Sequence, residues 1–321
     1  MFANFLIEKN TLKRYNKAVM NNGLTTSFLG IKMKSPLLTA SGTFGYGNEL
    51  TDLIDITKIG AIITKTITFE ERLGNPQPRI AEVASGMLNT IGLQNVGIKK
   101  FTETKLDEIL KLKVPIIVSV AGACVSDYAR TVMELNKFSK ISAIELNLSC
   151  PNLKKTIISQ DIELFSNIIK SVKHISKFPI IAKLSPQVQD IAVLSLTAQN
   201  CGADAITLTN TFPAMAIDIN TFKPKLSTVK GGMSGPCIKP MALRCVFDAF
   251  QKVSIPIIGC GGITNSDDVI EFMLAGASCV SIGTQVLVEP KVFENTYVGL
   301  EKYLRDKKIK NIKELQGKVK L

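Results

Sequence analysis

The stretch Ala143-Ile144-Glu145-Leu146-Asn147-Leu148-Ser149-Cys150-Pro151-Asn152 decides how the chain is interpreted. Its first six residues are typical of a buried strand, and Pro151 ends that strand because proline has no N–H for a ladder. Asn147 is therefore predicted near the carboxyl end of the strand, with Cys150 on the loop that follows. Most cysteines are small buried hydrophobes, but a thiol among polar groups at a strand end favours a reactive role.

Segments of the same kind recur along the chain, each an apolar strand followed by a polar loop and a helix. Their near-continuous apolar character is typical of parallel strands buried on both faces. Eight such units over about 265 residues predict an α/β fold, a (β/α)8 TIM barrel. An open doubly wound sheet is the alternative, disfavoured because no Gly-x-Gly-x-x-Gly follows the first strand. The strand candidates are residues 36–40, 61–65, 115–120, 143–148, 179–184, 205–209, 256–259 and 279–282, and helices are predicted at 126–138, 162–175, 240–251 and 266–275.

The chain divides into an N-terminal extension (1–23), the barrel (24–306) and a basic C-terminal tail (307–321). Residues 23–33 are predicted to form a small hairpin that caps one end of the barrel. Residues 66–97 are rich in Gly, Pro, Asn and Arg, and a loop of this length inside a compact domain is usually functional. We expect this segment to be an insertion that covers the carboxyl ends of the strands.

Composition narrows the possible functions. The seven cysteines include no Cys-x-x-Cys pair, which predicts free thiols in a reducing cytosol, without a metal or iron–sulfur site on this chain. No run of about 18 apolar residues is present, so neither a membrane span nor export is expected. The net charge of +12 is concentrated at the two ends. Solvated tails are therefore expected rather than a nucleic-acid surface.

Two glycine-containing turns predict a phosphate site. Gly261-Gly262 follows the seventh strand and Gly283-Thr284 the eighth. Backbone N–H groups left uncovered there, next to helix N-termini, can hold a phosphate. Tight turns alone would also explain these glycines. Gly235, in the preceding loop, could add a third N–H group.

The remaining polar groups at the strand ends suit a flat polar ligand. Lys65 and Lys183 end two buried strands, where an ammonium needs an anionic partner or a role. That role is either Schiff-base chemistry or stabilisation of negative charge. Asn89, Asn147, Asn210 and Thr211 offer alternating donors and acceptors. His174, the only histidine, is predicted on a helix surface, which leaves Cys150 as the best candidate base.

The chain resembles the class 1 dihydroorotate dehydrogenases, the flavin enzymes of pyrimidine synthesis. The motifs that carry the resemblance span residues 24 to about 300. They are Ala-Ser-Gly-Thr-Phe-Gly (40–45), Thr-Lys-Thr (64–66), Gly-Asn-Pro-Gln-Pro-Arg (74–79), Asn-Thr-Ile-Gly-Leu-Gln-Asn (89–95), Asn-Leu-Ser-Cys-Pro-Asn (147–152), and the glycine segments 231–235 and 259–262.

The resemblance implies a role for each matching position. Cys150 would take the proton from C5 of dihydroorotate while C6 gives hydride to FMN, one FMN per chain. The pyrimidine would be held by Lys65, Asn89, Thr90, Ile91, Gly92, Leu93, Asn147, Asn210 and Thr211. FMN would be held by Ser41, Lys65, Thr66, Ser119, Asn147, Lys183, Thr209, Gly235, Gly261, Gly262, Gly283 and Thr284. The family usually has Asn where this chain has Ser119, which puts one flavin contact in doubt.

Within class 1, the segments 44–47 and 89–95 are similar to type B. That type implies a cytoplasmic homodimer core joined to an electron-transfer subunit with FAD and [2Fe–2S], as a heterotetramer that passes electrons to NAD⁺. The alternatives are the fumarate-using type A enzyme and a tRNA-dihydrouridine synthase, which needs an RNA-binding domain after the barrel. A lysine-dependent aldolase and an inactive phosphate-binding barrel are more distant alternatives.

Overall fold

The computed structural model describes residues 23–149 and 157–320. The strands are β1 Thr26–Phe28, β2 Ile31–Met33, β3 Leu37–Thr39, β4 Ile62–Ile63, β5 Ile80–Val83, β6 Gly86–Asn89, β7 Ile116–Val120, β8 Ala143–Asn147, β9 Ile180–Lys183, β10 Ala205–Leu208, β11 Phe212–Ala214, β12 Ile217–Asp218, β13 Lys223–Pro224, β14 Gly231–Ser234, β15 Ile257–Cys260 and β16 Cys279–Ile282. The α-helices are α1 Gly97–Thr104, α2 Leu106–Ile109, α3 Val125–Leu135, α4 Ile162–Ile175, α5 Ile191–Asn200, α6 Lys239–Phe250, α7 Ser266–Ala275, α8 Gln285–Val288 and α9 Val292–Asp306.

The central sheet is a barrel of eight parallel strands. Its order is β3-β16-β15-β10-β9-β8-β7-β4. The ring closes between β3 and β4, where the N–H of Thr39 donates to the carbonyl of Ala61 at 3.3 Å. Each strand lies within or next to its predicted segment, so the TIM barrel expected from the sequence is confirmed.

The predicted hairpin closes the amino-terminal end of the barrel. β1 and β2 pair antiparallel, and Phe28 and Met33 are buried against the inward side chains of the barrel floor. These floor residues are Leu38, Ala61, Ile63, Ile117, Ala143, Ile181, Ala205, Ile258 and Cys279. The opposite, carboxyl end is thereby left as the open end.

Two insertions build a second sheet at the open end. The four-stranded antiparallel sheet has the order β11-β14-β6-β5. β5 and β6 come from the predicted insertion 66–97, which is confirmed. β11 and β14 come from residues 211–235, whose strands were not predicted because glycine and proline weaken a strand pattern. In the same segment, β12 and β13 form a separate two-stranded ribbon.

The basic C-terminal segment is docked on the barrel instead of extending into solvent. Ile312 and Leu315 are buried, and the N–H of Ile312 donates to the carbonyl of Gly23 at 2.8 Å. The N–H of Gly317 donates to the carbonyl of Met273 on α7 at 3.0 Å. The two apolar side chains explain the docking, while the lysines of the same segment stay at the surface. Across the described ranges, no helix is long and apolar enough to cross a membrane.

Candidate active site

A cavity of about 490 Å³ opens at the carboxyl ends of the barrel strands, with the second sheet as one wall. Apart from Ser119, each described residue proposed from the sequence for a cofactor or substrate lines this cavity. The residues are Ser41, Lys65, Thr66, Asn89, Thr90, Ile91, Gly92, Leu93, Asn147, Lys183, Thr209, Asn210, Thr211, Gly235, Gly261, Gly262, Gly283 and Thr284. Groups that are far apart in sequence are thus brought to one concave site.

The glycines of the predicted phosphate cradle lie at one side of this cavity. Gly261 and Gly262 have φ of +133° and +75°, values that L-residues with side chains rarely adopt. A Cβ atom at Gly262 would lie 2.6 Å from the backbone nitrogen of Lys239, the first residue of α6. Next to them, the hydroxyl of Thr284 donates to Ser234 Oγ at 2.8 Å. Glycine is therefore required for the path of this loop, which leaves backbone N–H groups free of side-chain cover.

Lys183 is a buried cation whose side chain reaches the cavity. Its Nζ donates to Ser41 Oγ at 3.2 Å and lies 3.9 Å from Glu145 Oε1. Burial opposes the charged form, but the nearby Glu145 carboxylate outweighs it, so the pKa of Lys183 is raised above the ordinary lysine value. The ammonium is therefore charged at neutral pH.

Lys65 differs from Lys183 in that its pKa is lowered. It is half-buried, and no ion pair or hydrogen bond of its Nζ is found among the described residues. Burial lowers the pKa of Lys65, the nearby Arg79 lowers it further, and Glu49 offsets part of the effect. An unpaired ammonium at a cavity wall is suited to an anionic ligand.

A hydrogen-bonded amide network lies between the two lysines. Asn210 Nδ2 donates to Asn147 Oδ1 at 3.1 Å, and Asn147 Nδ2 lies 3.5 Å from Thr66 Oγ1. The Tyr128 hydroxyl donates to the Asn147 carbonyl at 2.7 Å. On the covering sheet, Asn89 Nδ2 donates to the Gly232 carbonyl at 3.3 Å. These contacts fix amide groups that can read the donors and acceptors of a planar polar ring.

Ser119 does not line the cavity. It is fully buried on β7, beneath Thr66, and the two hydroxyl oxygens are 2.9 Å apart. The structure therefore places Ser119 behind a cavity residue, where its hydroxyl orients Thr66. A direct contact of Ser119 with a cofactor stays a prediction that the geometry does not support.

Two cavity hydroxyls lack a partner in the described part of the chain. Thr209 Oγ1 and Ser149 Oγ are buried and make no hydrogen bond, although both residues line the cavity. A buried polar atom without a partner costs free energy. A ligand that offers hydrogen-bonding groups at these two positions would remove that cost.

Cys150, the predicted base, lies outside the described residues, together with 151–156 and the extension 1–22. The residues on either side of this gap, Ser149 and Ile157, both line the cavity. His174 is exposed on α4, as expected from the sequence. Among described residues, no group of three or more His, Cys, Asp or Glu is placed to hold a metal ion.

The sequence interpretation missed several cavity residues. Met87, Pro213 and Gly231 belong to the covering sheet, and Ser185 and Gln187 follow β9. The glycine-rich β14 offered no signal beyond its resemblance motif. Glu145, which is fully buried on β8, was also given no role in the sequence interpretation.

The fold and the site together define a (β/α)8 barrel with one polar, concave cavity at the carboxyl ends of its strands. The family model for dihydroorotate dehydrogenase matches residues 23–304. Similar proteins carry the name dihydroorotate dehydrogenase B (NAD⁺), catalytic subunit. One from Endomicrobium trichonymphae is 58% identical over 92% of this chain and 96% of its own length. Those from Caldicellulosiruptor bescii and Bacteroides thetaiotaomicron are each 46% identical, over 93% and 89% of this chain and 99% and 95% of their own lengths. The chain belongs to the dihydroorotate dehydrogenase family, a family of oxidoreductases.

Proposed function

We propose that this chain oxidises dihydroorotate to orotate, on an FMN held at the barrel mouth, as a step of pyrimidine biosynthesis. The observation that carries the proposal is the convergence in one cavity of two lysines, an amide network and a glycine cradle. Membership of the family specifies which flat ligands these groups would hold.

The residues present fit a flavin mononucleotide. The glycine turn at Gly261 and Gly262 exposes N–H groups for its phosphate, and the unpartnered hydroxyl of Thr209 is available to its polar atoms. Lys183, charged and directed at the cavity wall, would lie against a ring edge that becomes more negative on reduction. Bound FMN would supply the hydride acceptor.

The substrate would be bound by the amide network. Asn147 and Asn210 are already oriented by one hydrogen bond between them, so little side-chain freedom is lost on binding. Lys65 would pair with the substrate carboxylate. Asn89 to Leu93, on the second sheet, would cover the pyrimidine from the opposite side and exclude water.

Cys150 would act as the base that removes the proton from C5 of dihydroorotate. Its thiol would be deprotonated beside the amide groups at the end of β8, and the hydride would leave from C6. The thiolate would take the C5 proton, and the hydride from C6 would go to the acceptor that bound FMN supplies. One proton and one hydride are thus removed, which balances the oxidation of the C5–C6 single bond to a double bond.

The electron acceptor is proposed from the names of the relatives. Three similar proteins are named as NAD⁺-linked catalytic subunits, which favours the type B assembly over the fumarate-using type and over action on tRNA. The chain would form a cytoplasmic homodimer core, and a second subunit with FAD and [2Fe–2S] would carry electrons to NAD⁺.

Anaerobic reduction of the protein-bound flavin tests the proposal. Stopped-flow mixing of the FMN-loaded chain with dihydroorotate should bleach the flavin absorbance, and Cys150→Ser should slow that bleaching at pH 7 by at least tenfold because a hydroxyl is a much weaker base. Cys124→Ser is the matched control, since Cys124 is not among the residues that line the cavity and its Sγ lies 3.1 Å from Ser126 Oγ. An unchanged rate in Cys150→Ser would refute its role as the base.

A further inference from the structure

A layer of polar side chains lies inside the barrel, one level above its apolar floor. Ala143, Ile181, Ala205 and Ile258 belong to the floor. Two positions further along the same strands, on the same face, stand Glu145, Lys183, Thr207 and Cys260. Lys183 and Cys260 reach the cavity, whereas Glu145 and Thr207 lie beneath it.

Glu145 is the carboxylate of this layer and is fully buried. Its Oε2 accepts a hydrogen bond from Thr207 Oγ1 at 3.1 Å. Its Oε1 makes no hydrogen bond and lies 3.9 Å from Lys183 Nζ. A buried carboxylate is costly unless it is paired, so the arrangement ties Glu145 to Lys183.

Stability alone does not account for this pair. Replacing a buried ion pair by apolar residues of similar volume is often neutral or stabilising. The neighbours of Glu145 and Lys183 on the floor are apolar, so apolar side chains would pack there. A role for the charge itself is the remaining explanation, and Lys183 is the member that reaches the cavity.

No other anion among described residues competes for Lys183. The Ser41 hydroxyl, at 3.2 Å, is neutral. Burial raises the pKa of the Cys260 thiol above its ordinary value, although Lys183 offsets part of this effect, so the thiol is protonated at pH 7. Thr207, the partner of Glu145 on β10, does not titrate. The charge of Lys183 therefore depends on Glu145.

We propose that Glu145 is a positioning residue for the cofactor site, whose buried carboxylate keeps Lys183 charged and directed at the flavin. The inference rests on the proposed function, because it takes FMN as the group that Lys183 meets. Glu145 touches neither cofactor nor substrate. It acts by making the Lys183 ammonium a permanent charge over the pH range in which an isolated buried lysine would lose its proton.

The test is a double-mutant cycle on FMN affinity, measured by fluorescence quenching between pH 7 and pH 10. With Glu145 present, Lys183→Met should weaken FMN binding about tenfold or more, the effect expected for losing a charge-assisted contact. That loss should be the same across the pH range. In the Glu145→Gln background, the loss from Lys183→Met should be smaller and should fall below about threefold by pH 10. Each loss is a ratio of two FMN affinities measured at the same pH, so the effects of titrating Lys65 and the FMN phosphate cancel.

The control variant is Glu145→Asp, which keeps the charge and should preserve a constant loss from Lys183→Met. An equal loss in the Glu145 and Glu145→Gln backgrounds at every pH would overturn the inference. If Glu145→Gln does not fold, the test uses the natural chain and Lys183→Met alone. A loss of FMN affinity from Lys183→Met that shrinks between pH 7 and pH 9 would overturn the inference, and a constant loss would support it. If the natural chain binds no FMN at all, the proposed function fails first.

Discussion

Gly262→Ala is the substitution that most directly tests the glycine cradle. Gly262 has φ of +75°, and a methyl group there would lie 2.6 Å from the backbone nitrogen of Lys239, where 3.4–4 Å is an ordinary contact. The left-handed backbone costs an L-residue about 1–2 kcal/mol. To relieve the contact, the loop must move by about 1 Å away from the start of α6.

A shift of that size would misalign backbone donors aimed at the phosphate. Losing one charge-assisted hydrogen bond costs about 1.5–3 kcal/mol, so FMN affinity should fall about 10- to 150-fold. The assay is titration of the apoprotein with FMN, followed by flavin fluorescence, together with urea unfolding of the apoprotein.

Gly30→Ala provides a matched control. Gly30 has a similar φ of +79°, but no atom lies within 4 Å of an added Cβ, and the residue belongs to the hairpin at the opposite end of the barrel. This variant should lose about 1 kcal/mol of unfolding free energy and keep its FMN affinity. Wild-type affinity in Gly262→Ala, or an equal loss of affinity in both variants, would refute the cradle.

Three further outcomes are expected. Orotate binding should weaken as pH rises through the pKa of Lys65, which is lowered below 10.5, because the ammonium loses its charge there. Lys65→Arg should bind orotate with constant affinity up to pH 10. The same decline in that variant would exclude Lys65 as the cause. Asp268→Asn should lower the free energy of unfolding by about 2 kcal/mol at pH 7, since Asp268 accepts from Lys239 Nζ and from the Thr264 N–H and hydroxyl, each at 2.7 Å. Burial alone would raise the pKa of Asp268, but these hydrogen bonds outweigh it and lower the pKa. The stability difference between the two proteins should therefore persist above pH 3.8 and vanish as pH falls through the pKa of folded Asp268. Glu271→Gln, at a half-exposed position, should change the free energy of unfolding by less than about 1 kcal/mol, and equal losses in the two variants would contradict the account. The isolated chain should reduce NAD⁺ poorly until an FAD/[2Fe–2S] subunit is added, and efficient NAD⁺ reduction by the chain alone would count against type B.

Much of the barrel could be predicted because its signal is local. A parallel strand buried on both faces is a short apolar run, and α4 and α7 were placed at their observed bounds. α7 begins at Ser266 because the Asn265 side chain caps it, accepting from the N–H groups of Asp267 and Asp268.

The features that were missed depend on contacts distant in sequence. The glycine-rich β14 becomes a strand only because β6 and β11 pair with it on either side. The docking of 307–320 depends on two apolar side chains among many lysines. Ser119 and Glu145 are neighbours on β7 and β8, and both are fully buried beneath cavity residues. Depth inside a barrel follows from strand register, which a single sequence does not reveal.

The central claim is that one cavity at the barrel mouth binds FMN. The most direct measurement is the stoichiometry of FMN on the purified chain, from its absorbance spectrum and from titration of the apoprotein. The account predicts a yellow protein that binds one FMN per chain. A colourless protein to which FMN cannot be restored would contradict it.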